Sequence, residues 1–250
     1  YDFANDGGLP RDPGFAKSWQ AVAGARLKFG GDWRADFSVT QGKSADNVTR
    51  VQNLNTTAGG INAALALTSA STAFNPFGRG GISNPATVAA IRNGQFVIDG
   101  DTTLTTVVAQ ADGSLFAIPG GSVRLATGAE YRREGLGGSL ASGSTAAPVI
   151  VPSDSSRNVR AIYAEAYIPL VGAANARPGM QKLELSLAGR YEKYSDFGNT
   201  SNPKVGLVYV PAANLKLHAS WGKSFRAPAL AETDPRSSGY GLYGDTLPCN

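Results

Sequence analysis

Apolar side chains recur at every second position along much of the chain. Ala21, Ala23, Ala25, Leu27 and Phe29 share one parity, with Arg26 and Lys28 on the other. After Gly30, Gly31 and Asp32 the pattern resumes, Trp33, Ala35, Phe37 and Val39 against Arg34, Asp36, Ser38 and Thr40. Strict alternation of this kind predicts β-strands, and a Gly-Gly connection predicts a hairpin. The same reading applies to Val123 to Tyr131 with Arg124, Glu130 and Arg132 opposed, and to Leu183, Leu185, Leu187 and Tyr191 against Glu184, Arg190 and Glu192. Val205, Leu207 and Tyr209 continue it, followed by Leu215, Leu217, Ala219, Trp221 and Phe225 against Lys216, His218, Ser220 and Ser224. Residues 158–168 are strand-like without a clear face, because Glu165 shares parity with Tyr163 and Tyr167. With a further strand at about 103–117 the count reaches eight, each running about 8–13 residues.

The connections alternate as well. Tight turns are expected at Gly30-Gly31, at 119–121 and at 211–214, and polar loops at 44–101, 135–157 and 195–202. The connection at 171–180 is longer than this pattern asks of a turn. Within the longest loop, Asn84 followed by Pro85 predicts the start of a short helix. "GGSLASGS" (137–144) reads as flexible loop, with no Lys-Ser/Thr after the glycines to make a phosphate cradle.

Alternation does not say which face is buried. A soluble antiparallel sandwich turns its apolar parity inward, whereas a membrane barrel turns it to lipid. Composition favours the second. Charged residues are only 17% of the chain, below the roughly 25% of soluble domains. Arg, Lys and Glu recur mid-strand on the polar parity, as a wet lumen allows. Aromatics (Trp33, Tyr131, Tyr191, Trp221, Phe225) close the strand ends on the apolar one, as an interfacial girdle requires. No apolar run is long enough for a membrane-spanning helix. A net charge of +4 without a basic cluster gives no support for nucleic acid. One Cys and one His form no metal cluster or catalytic pair, so no enzyme activity, cofactor or metal site is expected. The sequence opens at Tyr1 without a basic or apolar leader and stops in "GDTLPCN", so residues 1–250 read as an internal part of a longer chain.

Local motifs carry a resemblance. Residues 190–232 contain Tyr194-Ser195-Asp196-Phe197-Gly198, Asn202-Pro203-Lys204, Ser224-Phe225-Arg226-Ala227-Pro228 and Glu232. This stretch closely resembles the barrel of TonB-dependent outer-membrane receptors, and 73–78, 120–134 and 159–170 look like further segments of that family in order. The resemblance implies an all-β antiparallel transmembrane β-barrel segment, about eight strands of a 22-stranded wall. It implies outer-membrane location and energised uptake of a ligand such as a ferric siderophore, cobalamin or carbohydrate. A plug domain and the TonB complex would be partners of the full-length parent, beside membrane lipid; no plug and no closing strand is recognisable here. The alternative is a structural or adhesive outer-membrane barrel without active transport.

Candidate lumen-facing residues are Glu130, Arg132, Glu184, Arg190, Glu192, Lys216 and His218. The Glu130/Arg132 and Arg190/Glu192 pairs would line a substrate path or contact a plug, or else satisfy one another and water. His218, without a second ligand, reads as a wall residue. Arg226 is expected to fix the exit from its strand, and Cys249 to pair with a cysteine beyond residue 250. The hairpin at 191–211, with strands at about 181–194 and 203–210, is expected to be the tightest on its side.

Overall fold

The computed structural model describes residues 3–6, 12–77 and 79–234. Eight antiparallel strands form one sheet in chain order, each paired with the next. They are β1 (Gly14–Phe29), β2 (Trp33–Asn53), β3 (Gly94–Ile118), β4 (Gly121–Ser144), β5 (Ala147–Val171), β6 (Lys182–Tyr194), β7 (Gly198–Ala212) and β8 (Leu215–Gly222). The all-β, eight-stranded expectation is met. Connections alternate between two ends of the sheet. Residues 30–32, 119–120, 172–181 and 213–214 lie at one end, and 54–93, 145–146 and 195–197 at the other.

Strand length departs from expectation. The strands run from 8 to 25 residues, not about 8–13. The polar stretches at 44–53 and 94–101 extend β2 and β3, and 135–157 is almost wholly strand, with Thr145 and Ala146 as its turn. Residues 137–144, read as flexible loop, are the end of β4. The reason is that ladder hydrogen bonds are made by the backbone. Where both faces meet water, Gly, Ser and Ala pair as well as Leu does, but leave no apolar alternation. The hairpin at 191–211 is likewise corrected: residues 198–202 belong to β7 and its turn is 195–197. The β4–β5 turn is tighter still.

Part of the long connection folds locally. α1 (Ile61–Leu65) and α2 (Pro85–Ile91) pack Ala64, Ile91 and Phe74 together, with Phe3 and Ile61 against them. α2 starts as the sequence predicts, the Asn84 side chain accepting from the Ala86 N–H at 2.9 Å and Pro85 filling the first turn. At the base of this connection the buried Asn55 side chain donates to Asn93 and accepts from Thr57.

The two parities lie on opposite faces. Register fixes this from strand to strand: Asp36 pairs with Gln110, Gln110 with Gly128, Glu130 with Ala161 and Tyr163 with Arg190. Arg190 then pairs with Asn202, and Val208 with His218. These residues share one polar face. Glu165, Tyr163 and Tyr167 all belong to it, which resolves the assignment left open for β5. The other face carries Val39, Val107, Tyr131, Ile162, Leu187, Tyr191, Val205, Leu207, Leu217 and Trp221, all exposed, Trp221 at 64%. β1 and β8 are the sheet edges and are exposed on both faces.

Gly198 opens β7 at φ 115°, and a Cβ there would meet nothing within 4 Å. A side chain therefore costs backbone strain alone, about 1–3 kcal/mol. Gly198→Val is expected to lower the folded fraction, seen as reduced heat-modifiable migration on a gel; an unchanged fraction would show that the turn tolerates the strain.

Candidate functional site

The polar face of β4, β5 and β6 carries an interlocked set of charges. Arg132 sits between Glu130 and Glu134, with contacts of 2.7 and 2.6 Å. Arg190 reaches across from β6 to Glu130 at 2.8 Å and holds Glu192 on its own strand at 2.9 Å. Tyr194 donates to the second oxygen of Glu192 at 3.0 Å. Cations and anions alternate along and across the strands, so each carboxylate meets a guanidinium. Four of the predicted residues, Glu130, Arg132, Arg190 and Glu192, are thus brought into one network.

Below this network, toward the tight-turn end, Tyr163 lies over Gly128. A Cβ at Gly128 would fall 2.4 Å from the tyrosine oxygen. The phenol donates to Gln110 at 3.0 Å, and the Arg190 guanidinium sits 5.4 Å from its ring centroid. The missing side chain of Gly128 is what lets the ring lie flat, an aromatic covering a strand glycine. Tyr167, Glu184 and Lys182 form a smaller group: the tyrosine donates to the carboxylate and the ammonium approaches it at 2.8 Å. Arg34, Gln110, Asp112, Arg124, Tyr163, Glu165 and Tyr167 line a concavity on this face, held by Arg34–Asp112 at 2.8 Å. Glu184 is therefore placed with Tyr167, apart from the main network. Lys216 and His218 lie on the same face of β8, exposed at the sheet edge, Lys216 near enough to act on the Glu184 charge and His218 outside both groups.

Sequence reasoning passes over the centre of the site. Arg157 of β5 is only 7% exposed and makes two contacts to Glu134, at 2.8 and 2.5 Å. It also donates to the Pro228 carbonyl at 2.7 Å and approaches Asp196 at 3.6 Å, with Tyr194 at 5.6 Å from its charge centre. Two of the motifs that carry the family resemblance meet here. Tyr194 stacks on Phe197 at 4.3 Å, and Phe197 contacts Phe225 at 5.7 Å. Beyond β8 the chain turns back over the polar face of β4 and β5, where Ser153 and Ser155 donate to the buried Asp234 at 3.2 and 2.7 Å.

Within this returning segment α3 (Leu230–Thr233) is closed by Glu232, which accepts from the Ala229 N–H and from Arg226, both at 2.7 Å. Arg226 thus shapes the exit from β8, as expected. Its hydrogen bond, with the Ala229 N–H, holds the Glu232 carboxyl below its usual range. In the β1–β2 turn, two hydrogen bonds from Ser114 hold Asp32 low in the same way. Among the described residues no cluster of His, Cys, Asp and Glu could hold a metal ion. Cys249 lies outside them.

A sheet of this kind, polar and ion-paired on one face and openly apolar on the other, decides between the two barrel readings when the family is added. Residues 1–247 match the family model described as "TonB dependent receptor-like, beta-barrel". The chain belongs to the TonB-dependent receptor β-barrel family. That family is one of outer-membrane transport proteins and is not an enzyme family. Comparison with curated protein sequences gives no match.

Proposed function

We propose that this chain forms wall strands of a receptor that takes up a small ligand through the outer membrane with energy supplied by the TonB complex. The ligand class is a ferric siderophore, cobalamin or a carbohydrate. The polar face lines the lumen, where Glu130, Arg132, Glu184, Arg190, Glu192, Lys216 and His218 meet water and a plug domain. The observation that carries this reading is the contrast between faces. Arg132, Arg157 and Arg190 are all paired with carboxylates on one, and the other exposes leucine, valine and aromatics. Lipid tolerates no unpaired backbone, so the open edges of β1 and β8 imply further strands of the same barrel on either side.

The test is uptake by cells with and without the receptor, offered each ligand class in labelled form. Uptake of one ligand should stop on deletion and also when the proton-motive force is collapsed. Surface adhesion lost on deletion, with no energy-dependent uptake of any of the three, would favour a structural or adhesive barrel.

A further inference from the structure

On β4, β5 and β6 the cations of the two faces are treated differently. On the polar face Arg132, Arg157 and Arg190 all have carboxylate partners. On the apolar face Arg133, Arg160 and Lys193 are exposed and have no carboxylate within ion-pair distance among the described residues. Arg160 and Lys193 are direct register partners on β5 and β6. Like charges directly opposite one another destabilise a ladder. Arg133, opposite Asn158, stands diagonally from Arg160, about 7–8 Å away by sheet geometry. Three cations on three adjacent strands thus converge with nothing among the described residues to neutralise them.

Their height on the sheet is equally specific. Toward the tight turns, the same face reads Ile162, Ala164, Ala166, Ile168 and Leu170 on β5, and Tyr191, Leu187, Leu185 and Leu183 on β6. From Ile162 to Leu170 the strand advances about 26 Å at roughly 3.3 Å per residue. At a tilt of about 40° that is about 20 Å of height, close to the apolar band of a barrel. Tyr131 and Tyr191 close this band on the long-loop side, and Tyr131 is the register partner of Arg160. Beyond the cations the face turns polar with Asn158, Ser156 and Asp154. The three charges sit where the headgroups of one leaflet must lie.

We propose that Arg133, Arg160 and Lys193 form a site for the phosphate groups of a lipid in the leaflet on the long-loop side, its acyl chains lying over Ile162, Leu187 and Tyr191. A phosphorylated headgroup supplies the anions that the ladder lacks, and two guanidinium forks suit phosphate oxygens. This inference rests on the reading of the apolar face as lipid-facing.

The experiment compares the protein purified in detergent with two triple variants, Arg133→Gln/Arg160→Gln/Lys193→Gln and, for equal loss of charge elsewhere, Lys28→Gln/Arg177→Gln/Lys204→Gln. Native mass spectrometry follows binding of diphosphoryl lipid A and of its dephosphorylated form. The unaltered protein should prefer the phosphorylated lipid. The first variant should lose that affinity tenfold or more, and the second should stay within twofold. Equal binding by the first variant and the unaltered protein would overturn the site, as would inorganic phosphate competing as well as the lipid does. A bimane probe at Leu187→Cys, quenched by brominated lipid, separates the two levels. Quenching without phosphate preference sinks the site alone, and absent quenching sinks the lipid-facing reading with it.

Discussion

Arg157→Leu is expected to lower stability in a detergent–denaturant titration by about 3 kcal/mol, the lower end for breaking a buried ion pair. The guanidinium is almost fully covered, and its loss strands the Glu134 carboxylate, which is itself 23% exposed and keeps only Arg132. That residual exposure places the effect at the lower end. The same change frees the Pro228 carbonyl and removes the cation over Tyr194, so the returning segment 224–234 should become cleavable by a protease at lower concentration. Arg157→Leu/Glu134→Leu should recover part of the loss, because the carboxylate stranded by the single change is then removed as well. A single variant within about 0.5 kcal/mol of the parent would mean that Arg157 is a surface residue in effect, at the level usual for exposed pairs.

Gly120→Ala should have the larger effect on assembly. A Cβ at Gly120 would fall 1.9 Å from the Pro169 carbonyl oxygen and 2.7 Å from the Leu170 carbonyl carbon. The close approach is mutual, since a Cβ at Gly172 would fall 2.1 Å from the Gly120 oxygen. Both obstacles are backbone, so no rotamer change relieves them. The β3–β4 turn and the end of β5 must separate, at a cost of at least about 3 kcal/mol, the upper range for overpacking. Pro169 and Val171 flank a register irregularity in the β5–β6 ladder, so the strain falls where the pairing is already interrupted. Gly189→Ala is the control: a Cβ there meets nothing within 4 Å. The folded fraction should fall sharply for the first variant and hold for the second. Equal fractions would show that the turn packing seen here is loose.

The period-2 pattern carried most of the fold, because a strand with one wet and one apolar face records its orientation in every pair of residues. It failed where both faces are polar. Residues 135–157 continue β4 and β5 without any contrast between parities, so the turn at Thr145 and Ala146 had no apolar flank to mark it. The site was legible in part. Glu130, Arg132, Arg190 and Glu192 declared themselves by sharing the polar parity mid-strand. Arg157 did not, since its partners Glu134 and Pro228 lie 23 and 71 residues away and it sits in a polar run without alternation. The one available signal was its parity with Tyr163, whose own face was unresolved in the sequence. Asp196 in the β6–β7 turn reaches back to Arg157 of β5, while Ser195 closes the β5–β6 ladder against Asn158. The turn at 195–197 therefore acts through long-range contacts as well as local geometry.

The central claim is that the leucine parity faces lipid and the arginine–glutamate parity faces water. Single cysteines placed along β6 and β7, in a Cys249→Ser background and labelled with a bimane, test it directly in reconstituted bilayers. Brominated lipid should quench Leu185→Cys, Leu187→Cys, Val205→Cys and Leu207→Cys, and aqueous iodide should quench Ser186→Cys, Ala188→Cys, Lys204→Cys and Gly206→Cys, with the two signals alternating at every residue. Leucine positions reached by neither quencher, or both parities responding alike, would contradict a barrel wall with its apolar face outward.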